Sequence, residues 1–352
     1  MIAEKETPRL ARNAFILLCL GLIGCAAPAP YDSIELSALV WPPPPANKRI
    51  SFIAEIKVPA DVEIEAGFFQ KLVETIRGSE EQEILSPYGI TVADDGTIYV
   101  VDNAYQAIHV FNPAKGKYSR FPKKPPDNFR NPVNIALGSE GKIYVSDSES
   151  ALVHVFDDQG KRFIRSVAAN RMQRPTGLTV NPVTKELLVL DTKSSLLFVF
   201  DEASLELKRI VGDAEQDEGD FFHFPTNIDV NVDGHVYVSD SLNFRVSILN
   251  ANLEPLADFG SPGNAPGRFS RPKGLAIDSD GHVYVIDALF DNVQVFEPDG
   301  QILIAFGGPG NTPGRFWLPN AIYIDRHDRV YISDAYNQRI QVFQYWKEEL
   351  AQ

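Results

Sequence analysis

The chain is 352 residues long, 44% apolar and 23% charged, the composition of a globular protein with enough apolar material for a large core. Its 33 Lys and Arg against 47 Asp and Glu leave a net charge of −14, so there is no global basic field to hold a phosphate backbone, and nucleic acid is not expected as a partner. The two cysteines, Cys19 and Cys25, fall in the first 25 residues, which removes disulfides, thiolate metal sites and cysteine nucleophiles from everything downstream.

In chain order, the first signal is an address. Lys5, Arg9 and Arg12 precede an apolar run from Ala14 to Gly24, a basic region followed by a short hydrophobic one, as in export signals. The run is too short to span a bilayer, which takes about 20 residues. It ends in Leu22-Ile23-Gly24-Cys25, which resembles the lipobox of bacterial lipoproteins. The resemblance implies a signal peptide over 1–24, acylation of Cys25, and, with Ala26 and Ala27 rather than an acidic signal following it, delivery to the outer membrane. The acyl chains are then the anchor. Residues 25–48 read as the lipidated cysteine and a tether, because Pro28, Pro30 and Pro42 to Pro45 favour polyproline II over a packed element. Within it, the apolar stretch Ile34 to Trp41 is expected to dock on the body; contact with lipid or a partner is the alternative. Residues 67–77, with apolar side chains at 68, 69, 72, 73 and 76, predict a short amphipathic helix.

The remainder is repetitive. Six segments begin at prolines near 87, 132, 175, 225, 272 and 319, and share an apolar strand, a tight turn, a second apolar strand ending in Asp, and a third strand. The terminal aspartates, Asp102, Asp147, Asp191, Asp240, Asp287 and Asp334, recur every 44 to 49 residues. The fifth unit shows four strand signals, with Asp-Gly turns at 280–281 and 299–300. A four-stranded antiparallel sheet repeated around an axis is a propeller blade. The second strands, such as Ile143-Tyr144-Val145 and Val236-Tyr237-Val238, are continuously apolar, so both of their faces need cover, as neighbouring blades would provide. The pattern "PKGLAIDSDGHVYVIDALFDNVQVFEPDG" resembles an NHL repeat, and six of them resemble a six-bladed NHL propeller. Blade 3 departs from the pattern, with "TKELLVLD" in place of the glycine-centred hairpin, which leaves its first turn open. The sixth unit runs out after its third strand. The expected fold is therefore all-β, a six-bladed propeller over 49–346 whose last blade is completed by an N-terminal strand at about 49–58, closing the ring and hiding its edges.

The recurrent aspartates read as blade geometry rather than a ring of metal ligands, since an Asp at a strand end accepts N–H bonds from the following turn. The Gly-rich loops at 259–272 and 306–319 lack the Lys-Ser/Thr pair and helix of a phosphate cradle. Phe129, Phe221, Phe269 and Phe316, with Met172 and Ile84, read as apolar plugs between blades. His109, His154, His223, His235, His282 and His327 do not converge, and no nucleophile elbow or His-Glu-x-x-His pair exists. Arg245 and Arg339, five residues after their blade's Asp, are expected to bridge to it. Candidate contacts gather on the top face, where first strands begin and second strands end: Tyr88, Tyr105, Phe244, Phe290 and Tyr336 as aromatic anchors, with Thr226, Lys273 and Asn320. The resulting expectation is a non-catalytic binding or scaffold propeller, with no cofactor, for an envelope protein, a peptide or a glycan. The alternative is a metal-dependent lyase or lactonase of the kind that carries a metal on the axis, with Asn134, Asn227 and Asp229 near a Ca²⁺ or Zn²⁺ ion.

Overall fold

Every repeat becomes one antiparallel sheet in the computed structural model, which describes residues 39–62, 82–157, 160–212 and 221–347. The expected helix at 67–77 and the signal segment with Cys25 lie outside the described residues. Two strands precede the blades, β1 (Val40–Trp41) and β2 (Ile50–Ile56). Blade 1 is β3 (Pro87–Val92), β4 (Ile98–Asp102), β5 (Ala107–Asn112) and β6 (Lys117–Phe121). Blade 2 is β7 (Pro132–Leu137), β8 (Ile143–Asp147), β9 (Leu152–Asp157) and β10 (Arg162–Val167). Blade 3 is β11 (Pro175–Asn181), β12 (Glu186–Asp191), β13 (Leu196–Asp201) and β14 (Leu207–Val211). Blade 4 is β15 (Pro225–Val230), β16 (Val236–Asp240), β17 (Arg245–Leu249) and β18 (Pro255–Phe259). Blade 5 is β19 (Pro272–Ile277), β20 (Val283–Asp287), β21 (Asn292–Phe296) and β22 (Ile302–Gly307). Blade 6 holds β23 (Pro319–Ile324), β24 (Arg329–Asp334) and β25 (Arg339–Tyr345), and its sheet continues through β2 to β1.

The first strand of each blade touches that of the next, and β23 meets β3, so the six blades close a ring. The second strands are buried along their whole length, apart from half-buried Arg329 at the start of β24, because each is sandwiched between neighbouring blades. The outer strands β6, β10, β14, β18 and β22 are largely exposed. Six apolar clusters fill the interior, and the largest joins blades 5 and 6 with β2.

The recurrent aspartates have one job throughout. Each accepts, at 2.6–2.8 Å, the backbone N–H of the residue two before its blade's proline: Leu85, Arg130, Gln173, His223, Ser270 and Trp317. They thus staple the entering chain to the end of the second strand. Four residues after each Asp stands a non-glycine with positive φ, from Gln106 at 49° to Ala151 and Ser195 at 57°. The left-handed conformation costs such a residue roughly 1–2 kcal/mol, and the carboxylate's bonds to nearby turn N–H groups offset it, as from Ala104 and Ser194. Arg245 and Arg339 reach their aspartates at 3.1 and 2.8 Å, as expected.

The plugs follow the same register with one correction. Ile84, Phe129, Met172, Phe269 and Phe316 are buried three residues before their prolines. In blade 4 that place belongs to Phe222, which is buried, while Phe221, the expected plug, is only half-buried beside it. Two adjacent phenylalanines made the sequence ambiguous by one residue. The open question in blade 3 is resolved by Asn181, whose Oδ1 accepts the N–H groups of Val183 and Thr184, and by Lys185 at φ 55°, which takes the place of a turn glycine.

Closure occurs where the sequence required it. β2 pairs with β25 over Ile50 to Ile56, with Glu55 opposite Gln341. In blade 4 the outer strand places Asp258 opposite Ser247, the same register. Arg339 is 2% exposed and spends its donors on both sides of the seam: Nε on Asp334, Nη1 on Glu55 at 2.8 Å, and Nη2 on the carbonyls of Thr312 and Arg315. Burial raises the Glu55 carboxyl, but Lys57 and the Arg339 guanidinium outweigh it and hold the group below the usual range. Outside β2, Leu39 to Trp41 add a further edge, with the Trp41 ring against Phe306 and Phe343 at 5.7 and 5.9 Å. Replacing Arg339 with Leu takes the counter-charge from fully buried Asp334, while Glu55 keeps Lys57, and breaking a buried pair costs about 3–5 kcal/mol. Urea unfolding of Arg339→Leu is expected to show a loss of that size, whereas Lys115→Leu, on the exposed end of blade 1, should leave the midpoint unchanged.

Candidate functional site

The starts of the first strands and the ends of the second strands surround one opening on the ring axis, a recess of about 410 Å³ to which all six blades contribute. Four positions of the repeat supply its wall, the residue before the proline, the two residues after it and the residue after the strand-end Asp, and each blade contributes two or more of them. A second recess of about 310 Å³ lies on the axis, lined by the later residues of the same inner strands. Asn134 and Asn227 border both recesses and form the waist between them.

The waist alternates small and larger residues around the ring: Gly89, Asn134, Gly177, Asn227, Gly274, Ala321. The glycines are required by close approach. A Cβ on Gly89 would lie 2.5 Å from Asn134 Oδ1, and one on Gly177 2.8 Å from Asn227 Cα. The two asparagines reach towards each other, Asn134 Nδ2 to Asn227 Oδ1 at 3.4 Å. Each also turns its Oδ1 to the N–H of the next residue, Ile135 or Ile228. Asp229 lines only the second recess, where its carboxylate oxygens accept N–H groups of Val230 and Ile277 at 2.8 and 3.0 Å. The alternative metal set therefore does not fit: two amides at the waist and a carboxylate beyond it, with every oxygen already turned to a backbone N–H, do not compose a cation shell. Among the described residues no group of three His, Cys, Asp or Glu gathers to hold a metal.

Of the expected contact residues, Tyr88, Thr226, Lys273 and Asn320 line the mouth. Thr226 bonds to Ser241 Oγ at 3.0 Å and to the Lys273 carbonyl at 3.2 Å, and so couples blade 4 to blade 5. The Lys273 ammonium donates to Asn320 Oδ1. Burial, and then the neighbouring Arg271 guanidinium, bring Lys273 down to about 8. Tyr105, Phe244, Phe290 and Tyr336 do not reach the recess. Beyond its first residue the loop runs outward, so Tyr105 packs edge-on to His109 at 5.6 Å beneath Arg120. Phe244 packs on the cluster between blades 4 and 5, Phe290 is half-buried in its loop, and Tyr336 meets exposed Trp317 on the rim at 5.6 Å.

Several lining residues went unnoticed in the sequence: Asn103, Asn131, Ser148, Thr176, Thr192, Phe224, and two cations, Arg174 and Arg271. Their signal was positional, since Arg174, Phe224 and Arg271 directly precede a repeat proline and Asn103, Ser148 and Thr192 directly follow a repeat Asp. The histidines stay apart. His109 and His154 are fully buried beside Asp102 and Asp147 at 3.3 and 3.6 Å, and exposed His223 does not line the recess. The Gly-rich loops use their donors internally, Gly267 and Gly314 each giving an N–H to Gln294 or Gln341 at 2.8 Å.

With this geometry in hand, the class is settled: the described body is a six-bladed β-propeller. The NHL-repeat family model matches residues 269–297 and 316–343, blades 5 and 6, so the chain carries NHL repeats. No curated protein matches the sequence. Among solved structures, a streptogramin B lyase matches at 15% identity over 74% of this chain and 94% of its own, with a TM-score of 0.56. A virginiamycin B lyase from Staphylococcus aureus matches at 14% over 84% of this chain and 100% of its own, TM-score 0.55. An auxiliary nutrient binding protein from Bacteroides thetaiotaomicron matches at 13% over 76% of this chain and 71% of its own, TM-score 0.59. At these identities the likeness is one of fold.

Burial pushes Asp229 up to about 6 against its two N–H donors. A carboxyl raised in the folded state contributes stability below its unfolded value near 4 and loses it as pH rises through 6. Asp229→Asn removes this titration but also sets an NH2 against one of the two N–H donors, so its Tm relative to the parent is expected to rise from pH 4.5 to pH 7.5 on top of a constant offset. A difference that stays constant over that range would show that the Asp229 carboxyl does not titrate there.

Proposed function

We propose that this is a membrane-anchored NHL propeller that binds its ligand in the axial mouth without transforming it. The observation that carries this reading is the wall of the recess, which presents amides, hydroxyls and cations from six blades but no carboxylate, histidine or cysteine. Acyl transfer or elimination needs a nucleophile or a proton acceptor held by a second group. Burial pulls the proton affinity of Lys273 towards neutrality, but no second group is placed to take a proton from it, its one side-chain partner being the Asn320 amide oxygen, an acceptor that favours the ammonium. The fold is shared by lyases and by a nutrient binding protein, so fold alone favours neither.

In this reading the chain is exported, acylated on Cys25 and held at the outer membrane by the proline-rich segment, which leaves the mouth to meet a peptide, a glycan or part of an envelope protein. Two measurements test it. Cys25→Ser is expected to lose incorporation of labelled fatty acid and to move from the membrane to the soluble fraction; unchanged fractionation would defeat the anchor. Benzoylphenylalanine at position 88, in the mouth, is expected to form adducts on irradiation of intact cells, whereas the same group at exposed position 303 on β22 should not. Equal capture at both positions, or none at 88, would defeat the binding role of the mouth.

A further inference from the structure

The mouth carries a charge pattern unlike the rest of the molecule. In a chain of net charge −14, its lining includes Arg174 from blade 3 and Arg271 and Lys273 from blade 5, with no acidic residue among them. Elsewhere, half-buried or buried cations meet carboxylates, as Arg245 meets Asp240, Arg339 meets Asp334 and Glu55, and Arg329 meets Asp325 at 2.7 Å, whereas half-buried Lys273 meets none and has two exposed arginines for company in the lining. Among the described residues, Arg174, Arg271 and Lys273 form no ion pair; Lys273 has only the neutral Asn320 amide. The charged group acting on the Lys273 ammonium is another cation, Arg271. Asp229, the carboxylate of the inner strands near the axis, lies in the other recess and is held by backbone N–H groups. Three like charges lining one recess without a carboxylate among them make a local positive potential that an anion would relieve.

Blades 1 and 2 line the recess differently. Asn103 and Asn131 supply amides, Ser148 a hydroxyl and Tyr88 an aromatic face with a polar end. Amides and hydroxyls match the paired hydroxyls of a sugar ring, and Val133, Phe224, Ala321 and the Tyr88 ring give its apolar faces surface to pack on. The volume of about 410 Å³ lies within the range of small-ligand sites, roughly 300–1,000 Å³. We infer that the mouth binds an acidic saccharide, its carboxylate or sulfate set against Arg174, Arg271 and Lys273 and its hydroxyls against the amides of blades 1 and 2. This inference rests on the binding role proposed above and narrows it to a ligand class.

The probes are trigalacturonate for a carboxylate, a sulfated chondroitin disaccharide for a sulfate ester, maltotriose as the neutral homologue, and hexaglutamate as an acidic peptide, each titrated into the lipid-free mature chain. At least one acidic saccharide is expected to shift the amide resonances of Thr226, Asn227 and Asn320, and which of the two does so identifies the anion. Loss of one charge-assisted contact should raise Kd about tenfold, so Arg271→Gln and Arg174→Gln should each do so, and the double variant about a hundredfold. Both arginines are exposed, so the variants should fold. Kd should also rise with NaCl, and the Lys273 ammonium should titrate above its free value of about 8 when the site is filled. Maltotriose binding as tightly, with the glutamine variants unaffected, would overturn the anion while leaving a mouth that binds. Hexaglutamate binding more tightly than both acidic saccharides would overturn the saccharide. No shift with any probe, alongside adducts from position 88, would overturn the ligand class alone, whereas no shift and no adducts would end the binding role with it.

Discussion

The architecture depends on one seam. A ring of sheets is stable against edge pairing only when its last sheet is complete, and here the chain completes it by laying Ile50–Ile56 against Arg339–Tyr345. Backbone pairing alone would tolerate slippage, because a shifted strand still finds hydrogen bonds. Arg339 removes that freedom. Its fork meets Asp334 on one side and Glu55 on the other while its remaining donors take two loop carbonyls, and a one-residue shift of β2 would turn Glu55 to the opposite face. The equivalent set in blade 4, Arg245 between Asp240 and Asp258, lies within continuous chain. The seam thus uses an ordinary blade contact to join segments some 280 residues apart.

A second consequence of the repeat bears on function. The strand-end aspartates fix the top of each blade through bonds to backbone N–H groups. Such bonds constrain where the chain passes but ask nothing of the side chains at the residues they hold. The places before each proline and after each Asp are therefore geometrically fixed and chemically free, and these places form the mouth. One scaffold can then present arginine in blades 3 and 5 and phenylalanine in blade 4 at equivalent positions without altering the ring.

The sequence made the fold legible because the repeat repeats its constraints: proline, Asp and the apolar second strand recur six times, and a missing outer strand in blade 6 pointed to Ile50–Ile56. The site was legible only in part. Tyr88, Thr226, Lys273 and Asn320 were found because they lie on inner strands whose direction the repeat dictates. Tyr105, Phe244, Phe290 and Tyr336 were misplaced at the opening because the loop departs from the axis after one residue, which residue type does not reveal. Arg174 and Arg271 look like ordinary surface cations until the ring brings them to the same recess as Lys273. Asn134 and Asn227 suggested oxygen ligands, yet what they do depends on Gly89 and Gly177 in the adjoining blades, which let them extend across the axis to each other.

The opposition between an acidic body and a cationic mouth is less contradictory than the net charge implies. At physiological ionic strength the screening length is about 8 Å, so carboxylates on the outer strands and far turns act little on a group at the axis. At the mouth, half-buried Lys273 is screened less than the exposed arginines, and Arg271 acts on it directly. An anion approaching from a distance meets a repulsive surface, and one at the opening meets attraction. The three cations line one opening only because the ring brings blades 3 and 5 to the same axis, which no charge on an outer strand could do.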